Sequence, residues 1–301
     1  MRARVVGAVL GAAAVLLLAG CGGLPPGVDG NLTDNWPPMP PATISVPPAP
    51  ACYDVTDPQP GMTKLPPVVD CGASHTLETV HVGGFSGADA ATDVPPPDGG
   101  PVQQRAYADC TKTVDALVGG DWRTGRIGLD LTLPSPAQWE AGARWYRCDV
   151  VEFADLDSYA VVGRTGSMQG ALTGPRPLAL GCFKVAIKGE DIDTMVATDC
   201  AAPHNSEFAG VWDAPPGVYP ADAGQRQSTQ LNGCRGVIAS YTGVPNDGMV
   251  RYRTGQITFG FGKADWDLGN RGARCYLWLD NKSLTRSLKG AGTRGLPVNT
   301  A

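Results

Sequence analysis

The sequence predicts an α+β fold made of two tandem copies of a disulfide-stapled β-β-β-α-β-β domain. Three observations predict it. Eight cysteines fall into two sets of four, at 52, 71, 110 and 148 and at 182, 200, 234 and 275, with intervals of 19, 39 and 38 residues against 18, 34 and 41. Four motifs recur in the same order within each set: Asp-Cys-x-x-x-His-x-x-Glu at 70–78 and 199–207, Arg-Thr-Gly-x-Ile at 123–127 and 253–257, Trp-x-x-Gly-x-Arg-x-x-Arg-Cys at 139–148 and 266–275, and Ser-[Met/Leu]-[Gln/Lys]-Gly-Ala at 167–171 and 287–291. The apolar periodicity between them runs through the same order of elements. Ordered repetition of this kind marks an internal duplication.

Each copy opens with a short strand at its first cysteine, "ACYDV" (51–55) and "GCFKVAI" (181–187). A second strand runs into the next cysteine, "PPVVDC" (66–71) and "TMVATDC" (194–200), and a third follows the histidine, "LETVHVGGF" (77–85) and "EFAGVWD" (207–213). A helix comes next. Ala106, Cys110, Val114, Leu117 and Val118 share helical spacing in the first copy and Gly119-Gly120 ends the run; Leu231, Cys234, Ile238 and Tyr241 do so in the second, stopped by Gly243. Two closing strands alternate or stay apolar: "RIGLDLTL" (126–133) with "RWYRCDVVEF" (144–153), and "ITFGFG" (257–262) with "ARCYLWL" (273–279). The copies span 51–171 and 181–291, with a Pro- and Gly-bearing hinge at 172–180 between them and a tail at 292–301.

An even cysteine set in an exported chain reads as disulfides. Confining pairs to each copy leaves three patterns per copy. The favoured one is Cys52–Cys71 with Cys110–Cys148, and Cys182–Cys200 with Cys234–Cys275: the first pair joins adjacent strands and the second clips the helix to a terminal strand. Loops of this length contribute about 3–4 kcal/mol each in the chain-entropy model.

Export is read from the first residues. Arg2 and Arg4 precede an apolar run from Val5 to Ala19, too short for a spanning helix, and the run ends in Leu18-Ala19-Gly20-Cys21. That ending resembles the bacterial lipoprotein box, which implies removal of a signal peptide (1–20) and diacylglyceryl and palmitate attachment at Cys21. Two or three acyl chains, at about 0.8 kcal/mol per buried methylene, hold a protein firmly at a membrane. Residues 21–50 carry nine prolines and form a tether. In polyproline II at ~3.1 Å per residue it reaches at most roughly 90 Å. The expected location is the extracytoplasmic face of the cell membrane. A net charge of −5 offers no basic field for nucleic acid.

The repeated polar residues are the candidate sites. His75, Glu78, His204 and Glu207 are zinc-ligand types, and copies facing one another could pool them or use them to sense pH. The competing reading is a structural corner, with each Glu paired to an arginine. Arg144, Arg147, Arg271 and Arg274 are the matching cations. Residues three apart on a strand face opposite sides, so one of each pair would meet Glu78 or Glu207 and the other an anion or partner. No Gly-x-Ser-x-Gly elbow, phosphate loop, Rossmann glycine pattern or carboxylate dyad stands in the sequence, so no catalytic residue and no cofactor are assigned.

Together the cysteine-flanked His-Glu corner, the Trp-Arg-Cys ending and the closing Ser-x-x-Gly-Ala resemble the actinobacterial septum formation domain, in two copies covering nearly all of 51–291. The resemblance implies an envelope protein tied to division septa and brings no established reaction. The expected function is that of a non-enzymatic envelope lipoprotein. Its partners would be the membrane, through the anchor, and a wall component or an envelope or divisome protein. The alternative is a metal- or anionic-polymer-binding protein, and a wall-modifying hydrolase stands behind both.

Overall fold

A computed structural model describes residues 44–173, 178–189 and 191–299. The signal peptide, Cys21 and nearly all of the tether lie outside the described residues. Among the described residues, no helix is long and apolar enough to cross a membrane.

The described residues form two five-stranded antiparallel sheets, several helices and four disulfides, an α+β fold. The first sheet contains β1 (Ala51–Tyr53), β2 (Leu77–Gly84), β3 (Ile127–Thr132), β4 (Trp145–Phe153) and β5 (Val161–Val162). Its order is β1-β2-β4-β3, with β5 added to β4. The second contains β6 (Cys182–Lys188), β7 (Asp191–Thr198), β8 (Ser206–Asp213), β9 (Gly255–Phe259) and β10 (Gly272–Trp278), in the order β7-β6-β8-β10-β9. Thus β1, β2, β4, β3 and β6, β8, β10, β9 follow one order in the two sheets. Both central pairings also slip register at one place: between Thr79 and His81 against β4, and between Cys275 and Tyr276 against β8.

The second half has the expected three strands before its helix; the first has two. "PPVVDC" makes a single bridge, Val69 to Cys52, instead of a strand. Pro66 and Pro67 have no N–H to donate, which removes the ladder at that point. The matching "TMVATDC" has no proline and builds the eight-residue β7.

Helix α1 (Pro101–Val118) begins with proline at its first position, where the missing N–H is no loss, and ends at Gly119 with φ +88°. It buries Ala106, Cys110, Val114 and Val118 against the first sheet, while Leu117 packs half-buried beside them. Its counterpart α3 (Ala223–Thr242) is capped by Asp222 and stops at Gly243, φ +72°. It buries Cys234, Ile238 and Ala239.

Short helices precede β4 and β10: α2 (Pro136–Glu140), with a Ser135/Gln138 capping box, and α4 (Lys263–Leu268). Each carries the motif tryptophan inward, Trp139 and Trp266, and turns through a left-handed glycine, Gly142 or Gly269. Residues 174–177 of the expected hinge lie outside the described residues. Its end is docked rather than free: Leu178 is buried in the first core, and Leu180 donates its N–H to Thr124.

Candidate functional site

Each His-Glu corner is a closed hydrogen-bond cage built by two of the repeated motifs. In the first half, Glu78 is buried at the start of β2. Its carboxylate accepts the Ser167 hydroxyl at 2.6 Å and the Met168 N–H at 2.7 Å. In the second half, buried Glu207 accepts Ser287 at 2.8 Å, the Leu288 N–H at 2.8 Å and the Tyr241 hydroxyl at 2.7 Å. The Ser-x-x-Gly-Ala motif is therefore the lock for the Glu of the corner. This corrects the expected Glu–Arg pairing, since none of the four motif arginines meets either carboxylate.

Both histidines are buried, and each directs Nδ1 at a backbone carbonyl two residues back: His75 to Ala73 at 3.0 Å and His204 to Ala202 at 2.8 Å. A carbonyl only accepts, so Nδ1 carries the proton. Nε2 then separates the halves. His204 Nε2 lies 3.1 Å from Glu207 Oε1, a contact that requires a proton between them, whereas His75 Nε2 is buried without a partner among the described residues.

Cys52, His75 and Glu78 bring ligand atoms within 4.8 Å of one another, as do Cys182, His204 and Glu207. Both cysteines are tied in disulfides, Cys52–Cys71 and Cys182–Cys200, and hold no thiolate. One imidazole and one carboxylate remain per cluster, short of the three or four protein ligands zinc takes. The clusters are also separate, so the pooled site expected from all four residues does not form.

The arginines likewise turn inward. Arg144 stacks on Trp139, 4.1 Å from the ring centroid, and donates to the carbonyls of Ala90 and Trp139. Arg271 lies 5.2 Å over Trp266. Arg147 is 2% exposed and is neutralised by Asp149, two residues along, through contacts of 2.7 and 2.9 Å. Burial pushes the Asp149 carboxyl up from its ordinary value, and the Arg147 charge opposes that.

Arg274 differs. The place of Asp149 after the Arg-Cys pair is taken by Tyr276, and the place of Thr79, which hydrogen-bonds Asp149, is taken by Phe208. Arg274 donates Nε to the Arg123 carbonyl at 2.7 Å and lies 5.6 Å over the Trp122 ring, but its Nη2 is buried with no hydrogen-bond partner among the described residues. Burial pulls its guanidinium below the ordinary value.

Arg274 borders a cleft of about 200 Å³ where the halves meet, lined also by Trp122, Phe153, Tyr159, Phe261 and Asp265. This cleft shares Gly128, Leu129, Phe153 and Tyr159 with a groove of about 490 Å³ along the first sheet. Tyr159 stands at φ +52°, unusual for a residue with a side chain, and packs edge-on against Phe153. Sequence reasoning missed Tyr159 and Trp122. The signal for the orphaned arginine was present, as "RCD" in one copy against "RCY" in the other.

No curated protein and no solved structure matches the chain. A single match to the family model described as "Septum formation" runs over residues 49–275, across both sheets. The chain belongs to the septum formation family.

Proposed function

We propose that the protein is a lipid-anchored envelope protein of the division septum that works by binding rather than by catalysis. It is one cystine-braced module doubled, at 51–171 and 181–291, raised from the membrane by its tether from Cys21. Septum-formation family membership supports the septal role. The observation that carries the binding role is that the residues most suggestive of chemistry are consumed by one another. Glu78 is held by Ser167 and Met168, Glu207 by Ser287, Leu288 and Tyr241, and Arg147 by Asp149. A general acid or base must reach a reacting proton within about 3 Å or through one water, and these side chains are sealed from substrate. The groove and cleft walled by Leu129, Phe153 and Tyr159 stay open to a ligand. The test is the distribution of a fluorescent fusion in growing cells. Enrichment at septa is expected, and an even distribution around the envelope would remove the septal role.

A further inference from the structure

The junction cleft holds a guanidinium that no carboxylate meets directly among the described residues. Arg123 beside it is matched twice, by Asp121 and Asp213. Asp265, which also lines the cleft, is turned toward the Gly262 N–H at 3.0 Å and the Asn270 amide at 3.2 Å and forms no ion pair with Arg274. Among the described residues, Arg274 forms no ion pair. Its counterpart Arg147 shows how this strand position is neutralised when an aspartate follows. Arg274 is half-buried with one nitrogen shut away from solvent, a state that is unfavourable without a partner and that the matching half avoids.

We propose that Arg274 anchors a carboxylate group, the C-terminal end of a peptide with small apolar side chains, in the cleft between the two sheets. A guanidinium without an ion-pair partner accommodates one negative group, and its planar fork suits a carboxylate. A phosphate dianion would need a second free cation, and Arg123 is already committed. The aromatic walls, Trp122, Phe153 and Phe261, favour an apolar substituent beside the charge. At about 200 Å³ the cleft is smaller than the roughly 300–1,000 Å³ of sites for drug-sized ligands, so it admits the end of a chain. The groove continuing past Tyr159 receives the residues before that end. This deepens the binding reading above and rests on it. Its assay uses purified protein, so its failure is distinct from a failure of septal placement.

The test titrates the full chain, disulfides intact, with N-acetyl-dialanine, its C-terminal amide, acetate and inorganic phosphate, read by calorimetry and by tryptophan fluorescence, since Trp122 lines the cleft. The free acid binds saturably, the amide does not, and acetate binds more weakly than the peptide. Arg274→Gln weakens the peptide by ~30-fold or more, the scale of a buried charged hydrogen-bond pair. Arg274→Lys falls between, because it keeps the charge and loses the fork. Both variants keep the wild-type melting temperature within about 4 °C. Equal binding of acid and amide, preference for phosphate, undiminished binding by Arg274→Gln, or no binding by any probe would each overturn the proposal.

Discussion

Removing the Glu207 carboxylate tests whether the corners hold the fold. In Glu207→Ala, the buried Leu288 N–H and His204 lose their partner, and the Ser287 and Tyr241 hydroxyls lose theirs. Hydrogen bonds to charged groups are worth about 1.5–3 kcal/mol each. The two hydroxyls already lie 3.1 Å apart and can satisfy each other. The lasting loss is therefore the N–H and the histidine, about 2 kcal/mol apiece, or ~4 kcal/mol in all. Glu78→Ala orphans the Met168 N–H and frees the Ser167 hydroxyl, and it takes nothing from His75 Nε2, so its cost is about 2 kcal/mol. Urea unfolding under non-oxidising, non-reducing conditions, followed by circular dichroism, measures both. A Glu207→Ala loss below ~1 kcal/mol, or one no larger than that of Glu78→Ala, would refute the reasoning.

Three further outcomes follow from the same geometry. Burial, opposed by the Ser287 hydrogen bond and reinforced by Glu207, raises the Tyr241 hydroxyl to about 12. The folded state then holds that proton more tightly than the unfolded one, so stability is intact below the ordinary tyrosine value and falls as pH rises toward about 12; Tyr241→Phe abolishes that part of the slope in pH-dependent unfolding. Gly233→Ala places a methyl 2.0 Å from the Trp212 ring, so a change that usually adds about 1 kcal/mol to a helix instead costs ~2 kcal/mol and lowers the melting temperature by ~4–8 °C. Metal analysis of the purified protein finds no stoichiometric metal, and stoichiometric zinc lost in His75→Ala/His204→Ala would contradict the caged corners.

Much of the scaffold was readable along the chain. All four disulfides join the cysteines expected from the spacing, because a helix cysteine on an apolar face must meet the sheet it covers. Gly119 and Gly243 stop the long helices where sequence placed them. The short helices α2 and α4 were not foreseen, since five or six residues carry too little periodicity to separate helix from turn. The absent strand at Pro66-Pro67 is a backbone effect that alternation alone misses. The serine and backbone partners of Glu78 and Glu207 lie 80 to 90 residues away along the chain and Tyr241 lies 34 from Glu207, beyond any local pattern. The unpaired state of Arg274 follows from an absence, an aspartate replaced by Tyr276, and shows only when the two halves are set side by side.

Disulfide mapping of the exported chain by mass spectrometry of unreduced digests tests the central claim most directly. Two self-contained halves predict Cys52–Cys71, Cys110–Cys148, Cys182–Cys200 and Cys234–Cys275. A bridge crossing from one half to the other, or free thiols at these positions, would contradict it.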